Sequence, residues 1–556
     1  MKTRALELHA SSNIWNPDGL IEVLDLMADI DLNTLVIHEI GIMERLVYPG
    51  RFFGAGDEPG IHHRYRSTFR DLYRLDPVRR SRPYQHLSFM RWLARRAAER
   101  GIALFLNNKE LSYPDSLFRL RPDLMVDGSP CPTAPGWIEF LETKYDELFT
   151  DFPELAGTIT SPGTGESRLS FSAGWCSCDR CGRTDPSDWY ATVIDAIHKV
   201  ATRHAKTLVV RDFVFTRSSQ DALADGLRGS SDDIVICLKN TPHDYYPTFP
   251  DNPRIGEMGA HPQWVELDAM GQYFGWGIAP AIMTEDIRRR LDHARANGVD
   301  GVLVRIDWEG LEGHSALRTF NALNIHAAAA LAADPSTPTD LIYRSWATYS
   351  RAVHEDATPE VADGARAWLR DLLERTWPVT AKTLYAHDCV FSDSSQFPVS
   401  IDHAFWLAEE KNSLRDWDPS KENALSPDPG NIERLLEEKR QAVRDVADLA
   451  ARADEGHPGL NVDWHAELRR RFRVFQEYVG AFELAARAVF TGRHVRDADD
   501  IDPHLLAEAR AAVREMREVV DRLRRDGLAD WHPAAAVLSA DRLECLREDV
   551  AKAIDR

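Results

Sequence analysis

The chain has 556 residues, 44% of them hydrophobic, with a formal net charge of −21 and a pI near 5.4. This length can bury at least one large core and suits two or three domains, while the negative charge would repel the phosphates of a nucleic acid, so no nucleic-acid partner is expected. Neither the opening MKTRALELHASSNIW nor any later stretch has the apolar run of an export signal or a membrane span, so the expectation is a cytoplasmic protein with no membrane partner.

In chain order, short apolar and β-branched runs alternate with stretches of helical period, the pattern of parallel strands joined by crossover helices. The predicted strands are Ala5–His9, Thr34–His38, Ala103–Asn107, Thr158–Ser161, Leu208–Phe213, Ile234–Leu238, Trp264–Leu267 and Val302–Ile306. Helices are expected at Leu20–Met27, Leu87–Glu99, Trp189–Thr202, Gln220–Leu227 and Glu285–Ala296, each with apolar residues three or four apart. This predicts a (β/α)8 TIM barrel over residues 1–333. A doubly wound sheet is less favoured, because no Gly-rich phosphate fingerprint follows the first strand. From residue 334 the strand signal fades, and an α-helical C-terminal domain is predicted over 334–556. It carries long amphipathic helices at Ile432–Ala453, Ala466–Phe490, Leu505–Arg525 and Asp541–Ile554 and a proline-punctuated loop at Ser413–Asn431. The apolar faces of this tail would serve a homodimer or pack on the barrel.

In such a barrel the chemistry sits where strands end, so polar residues there are the candidates. They are His38, Glu39, Asn107, Asn108, Lys109, Glu110, Glu166, Arg211, Asp212, Lys239, Asn240, Asp244, Glu266, Asp268, Gln272, Asp307 and Glu309. An acidic ring of this kind suits glycosidic-bond hydrolysis, which needs one carboxyl to protonate the leaving oxygen and one carboxylate to activate water or attack directly.

Three segments add a resemblance. Val235–Pro247 (VICLKNTPHDYYP), Asn252–Gly256 (NPRIG) and Val265–Gly275 (VELDAMGQYFG) recur in order, Arg211–Phe215 (RDFVF) lies on the fifth strand, and Thr164–Ser167 (TGES) follows the fourth. Together they resemble glycoside hydrolase family 67, the α-glucuronidases, over roughly residues 157–350, including Ala329–Trp346 beyond the barrel. No counterpart of the family's N-terminal accessory domain is expected, since the first predicted strand begins at Ala5. The resemblance implies an inverting, exo-acting hydrolase of short oligosaccharides that releases a uronic acid. It places the acid at Glu166 and one water-side carboxylate at Asp244, with the family's second water-side carboxylate falling at Gln272. Glu266 or Asp268 would take that missing role, or Gln272 would orient the water. Arg211 and Lys239 would bind sugar hydroxyls and the uronate carboxylate, since a guanidinium grips a carboxylate through two parallel hydrogen bonds.

Trp175, Trp276 and Trp308 are candidate stacking platforms for a pyranose ring, with core packing the alternative. Cys176, Cys178 and Cys181 offer three thiols within six residues, which Cys131 or a histidine would complete to a tetrahedral zinc shell. Reduced thiols without metal are the reading favoured here, so no cofactor is expected, with a structural zinc at these thiols the alternative. Two other classes stay open: a catalytically idle carbohydrate-binding barrel, given Gln272, and a metal-dependent barrel hydrolase using His9, His38, Asp212 and Asp307.

Overall fold

The computed structural model describes residues 1–9, 14–39, 41–47, 52, 82–108, 111, 113, 117–167, 169–214, 216–307, 315–526 and 538–555. Eight parallel strands close into a barrel: β1 (Thr3–Leu8), β2 (Thr34–His38), β3 (Ala103–Asn108), β4 (Gly157–Thr160), β5 (Thr207–Arg211), β6 (Val235–Lys239), β7 (Gln263–Asp268) and β8 (Gly301–Arg305). Neighbours follow chain order, and β8 returns to β1 with Ala5 opposite Leu303 and Glu7 opposite Arg305. The fold class expected from sequence is therefore the observed one, and each predicted strand lies within two residues of an observed one.

Helices between the strands start on caps that the sequence supplies. Asn16 accepts the Gly19 N–H before Pro17–Asp29, Asp185 accepts that of Ser187 before Pro186–Arg203, and Thr216 accepts that of Ser219 before Arg217–Leu227. Pro at the first helical position, as in Pro17 and Pro186, fixes φ where no N–H is needed.

Strand side chains alternate, so every second residue points into the barrel. Ala5, Val36, Phe105, Ile159, Val209, Val235, Cys237, Trp264 and Leu303 form one buried apolar cluster there. Phe105 and Trp264 meet edge to face at 5.7 Å between centroids. Large rings fit because glycines face them: a Cβ on Gly157 would fall inside the Phe105 ring and the Thr207 carbonyl, and one on Gly301 inside the Trp264 indole. This is the large-with-small filling that makes such a barrel a core rather than a pore.

By contact density the chain forms two compact units: 1–244 with 252–267 and 292–305, and 245–251 with 268–291 and 306–556. The first holds the barrel. The second is helical, its longest members being Pro429–Glu455, Val462–Asp497, Pro503–Asp526 and Ala540–Ile554. Phe472, Phe475, Tyr478, Phe482 and Phe490 of Val462–Asp497 are buried in that unit. Among the described residues no helix is long and apolar enough to cross a membrane.

Candidate active site

Continuing the inward alternation by two residues past the apolar floor reaches a polar layer at the strand C-terminal ends. From Ala5 it gives Glu7, from Val36 His38, from Phe105 Asn107, from Val209 Arg211, from Cys237 Lys239, from Trp264 Glu266 and from Leu303 Arg305. All seven are buried. Burial of charge is tolerated only where it is paired and hydrogen-bonded, and the pairing is visible. Arg211 grips Glu266 with both prongs, Nε to Oε2 at 2.6 Å and Nη2 to Oε1 at 2.8 Å. Lys239 Nζ donates to Asp244 Oδ1 at 2.9 Å. Arg211 and Lys239 both lie against the Phe213 ring, at 4.8 and 4.1 Å from its centroid. Burial lowers the Lys239 pKa, and Asp244 works against that.

Asp244 sits in a loop that the backbone strains to place, with φ +49 at a non-glycine residue. The Thr241 hydroxyl donates to its carbonyl, and the following strand fixes the loop's start, since Asn240 N–H donates to the Glu266 carbonyl at 2.9 Å.

On the other side of the ring, Glu7 Oε1 accepts from Asn107 Nδ2 at 2.7 Å. His38 Nδ1 lies 3.6 Å from Glu7 Oε1, and His9 Nδ1 lies 3.9 Å from Glu7 Oε2. The two imidazoles lie 3.7 Å apart between centroids with their planes tilted by 43°. Glu7, His9 and His38 each offer one ligand atom within 4.8 Å of the others, so the donor set fits a divalent cation. Glu7 is not among the residues that sequence reasoning singles out. The available signal is a carboxylate between Leu6 and Leu8 at the inward parity of Ala5.

The remaining candidates fall elsewhere. Asp212 has the opposite parity to Arg211. It lines a small cavity with Val210, Ile236 and Leu238 of β5 and β6 and Gln220 and Leu223 of helix Arg217–Leu227, on the outer side of the strands. Burial lifts its pKa to about 6, with Lys239 opposing. It is therefore not grouped with His9 and His38, and of the alternative metal set left open from sequence the two histidines are joined by Glu7 in place of Asp212. Glu39 is held by Arg45 Nη2 at 2.7 Å and Trp15 Nε1 at 2.9 Å, and burial raises its pKa against both. Glu166 is exposed in the loop after β4, where its N–H donates to Thr164 Oγ1 at 3.2 Å. The flanking Gly165 is exposed as well.

Within the second unit, Asp268 accepts the N–H groups of Met270 and Gly271 at 3.1 and 3.2 Å, so its carboxylate caps a turn. Gln272 donates to Ser394 Oγ at 3.1 Å. Trp276 is fully buried, with its Nε1 on the Ser394 carbonyl at 2.6 Å, so of the two readings left open from sequence it takes core packing and not the stacking platform. Asp307 is buried in that unit, and burial lifts it to about 7. Trp175 is 56% exposed. Trp308, Glu309, Lys109 and Glu110 lie outside the described residues.

No protein-family model and no curated protein sequence matches the chain. Among solved structures it is similar to a GH138 enzyme targeting pectin rhamnogalacturonan II, with a TM-score of 0.56 at 13% identity over 94% of this chain. The match covers 61% of that enzyme, so this chain spans about three fifths of its length. It is also similar to a mutant O-GlcNAc hydrolase of Thermobaculum terrenum (TM-score 0.46, 12% identity, 100% of this chain and 94% of that one). A third is a GH115 4-O-methyl-alpha-glucuronidase with specificity for decorated arabinogalactans (TM-score 0.45, 11% identity, 98% and 62%). At such identities the likeness is one of fold alone.

Proposed function

We propose that this chain is a glycoside hydrolase that cleaves a terminal sugar from short oligosaccharides, working at the C-terminal end of the barrel. The observation that supports this most is the pair of buried ion pairs on adjacent strand ends, Arg211–Glu266 and Lys239–Asp244. They concentrate carboxylates and cations in a water-poor layer where this fold does its chemistry. In this reading Asp244 activates the attacking water. The Lys239 ammonium at 2.9 Å stabilises the negative charge that a base must carry, and the strained backbone at residue 244 fixes the carboxylate's direction. Glu166 is the proton donor. Its loop must close over substrate to desolvate it, and attack from the opposite face would invert the anomeric carbon.

Arg211 and Lys239 are also the side chains suited to a uronate, so an acidic terminal sugar is the substrate class proposed, in keeping with the resemblance to α-glucuronidases. Since the similar GH138 enzyme targets pectin rhamnogalacturonan II, pectic fragments are the first substrates to try, followed by glucuronoxylan fragments and aryl uronides. The decisive experiment is hydrolysis of this panel by the wild-type chain and Asp244→Asn, with the anomer of the first-formed product read by NMR. Turnover that is lost in Asp244→Asn while binding persists supports the reading. Equal turnover by both refutes the role of Asp244, and no turnover on any glycoside refutes the activity.

A second reading rests on Glu7, His9 and His38, whose donor atoms converge as a two-histidine, one-carboxylate set. There the chain would be a metal-dependent hydrolase, with the cation supplying a water of lowered pKa. Activity abolished by a chelator and restored by a divalent ion, and lost in Glu7→Gln, would favour it over the metal-free glycosidase.

A further inference from the structure

We infer that Cys131, Cys176, Cys178 and Cys181 hold a structural zinc ion. The four thiols come from two separated segments of the barrel unit. Cys131 follows the short ribbon strand Ser129–Pro130 between β3 and β4, and the other three lie on the loop between β4 and helix Pro186–Arg203. Their sulfurs all lie within 4.8 Å of one another, with Cys131 Sγ 3.8 Å from Cys178 Sγ and 3.6 Å from Cys181 Sγ. Four sulfurs placed about 2.3 Å from a shared tetrahedral zinc stand roughly 3.8 Å apart. A disulfide would bring a pair to about 2.05 Å, and all four are free thiols. The spacing is that of a ligand shell.

The surroundings match as well. Zinc with four thiolates carries two net negative charges, and a cation stands beside them: Arg180 Nη2 is 3.4 Å from Cys131 Sγ. The same guanidinium donates through Nε to Thr133 Oγ1 at 3.0 Å, and that hydroxyl lies 3.3 Å from both Cys131 Sγ and Cys181 Sγ. Gly182 N–H closes the turn on the Cys178 carbonyl at 2.9 Å. Outer donors of this kind orient thiolate ligands and delocalise their charge.

Because the protein fills all four positions, the ion would be structural and not hydrolytic. Its work is to join two loops. Trp137 Nε1 donates to the Cys131 carbonyl at 2.9 Å and Trp189 Nε1 to that of Pro132 at 2.9 Å, which anchors the Cys131 segment to helices Gly136–Asp151 and Pro186–Arg203. The metal then ties the loop after β4 to that anchor across sequence separations of 47 and 50 residues. The loop it secures is the one that carries Glu166. The inference does not depend on the proposed activity, and its sulfur shell is chemically distinct from the Glu7, His9 and His38 donors.

The test uses the full chain purified from zinc-supplemented medium, with metal content by mass spectrometry, zinc K-edge absorption, and replacement by cobalt(II). The expected result is zinc retained through gel filtration, a shell of four sulfurs at about 2.3 Å, and a cobalt form with thiolate charge-transfer bands and tetrahedral ligand-field bands. Cys131→Ser and Cys181→Ser should lose that zinc and melt at lower temperature, while Cys545→Ser, outside the cluster, keeps it. If a cysteine variant fails to fold, the absorption edge and the cobalt spectrum of the wild-type chain still decide. Zinc bound only by nitrogen and oxygen, iron in the sulfur shell, a disulfide within the cluster, or four thiols that stay metal-free in excess zinc would each overturn the inference.

Discussion

Replacing Glu266 by glutamine tests whether the polar layer of the barrel is held by charge pairing. Arg211 is 1% exposed and Glu266 not at all, and the pair is bidentate at 2.6 and 2.8 Å. Glutamine keeps the shape and one acceptor, but it turns an amide group toward a donor and leaves the guanidinium without its counter-charge. Lys239, against the same Phe213 ring and repelled by Arg211, then has a neighbouring cation with less compensation. Removing one partner of a buried pair costs about 3–5 kcal/mol, on the order of 10 °C in melting temperature for a unit of this size. Removing both charges, Arg211→Met with Glu266→Leu, should recover most of that loss, because neither ion then has to be desolvated. Urea denaturation followed by tryptophan fluorescence on the wild type, Arg211→Met, Glu266→Leu and their double variant gives a coupling energy, expected to exceed about 2 kcal/mol. A Glu266→Gln protein within about 1 kcal/mol of wild type, or strictly additive effects, would show that water screens the pair and that the layer is not buried as described.

Asp244→Asn should reduce turnover by several orders of magnitude with little change in substrate affinity, measured by single-turnover kinetics and calorimetric binding, since an amide cannot take the proton. Burial lifts Asp212 to about 6, so the folded state holds its proton more tightly than the unfolded chain. The stability tied to Asp212 is fully present below about pH 4 and falls by about 3 kcal/mol as pH rises to about 6. Asp212→Asn should flatten that part of the melting-temperature profile and raise stability at neutral pH, and an unchanged profile would contradict it. Asp307, lifted to about 7, acts in the same direction over a window extending to about pH 7, so some slope should persist in the Asp212 variant. Gly301→Ala should cost several degrees of melting temperature, because its Cβ meets the Trp264 indole, and pairing it with Trp264→Phe should restore part of the loss. Glu7→Gln should leave glycosidase turnover measurable if no metal is used there, and abolish divalent-ion binding at that position in a calorimetric titration if one is.

The barrel was legible in the sequence because its strands are short β-branched runs separated by periodic stretches, and both signals are local. Helices that are buried on every side were harder. Ala322–Ala333 is apolar nearly throughout, with ten of its residues buried, so it shows no amphipathic period to read. The site was legible as a list but not as a geometry. Arg211, Lys239, Asp244 and Glu266 follow from position at strand ends, yet whether a residue one place along faces the mouth or the helix layer is decided by parity, and that separates Arg211 from Asp212. Parity also brings Glu7 into the ring. Trp276 looked like a platform because loops after strands tend to be exposed, but the Ser394 and Ser395 segment, about 120 residues downstream, covers it. The fourth thiol, Cys131, was named only as an option, because nothing local in the sequence ties it to the triplet.

The ring of Phe105 and Trp264, seated against Gly157 and Gly301, has a consequence for traffic. With the strand bundle plugged by aromatic carbon, neither solvent nor solute passes along its axis. Among the described residues, the apolar packing below the charged layer leaves the side on which the strands end as its approach for protons and water. Any molecule that docks over Arg211 and Glu266 must therefore depart through the opening by which it came. The rate of that departure depends on the loops above the strands, and the plug has no part in it.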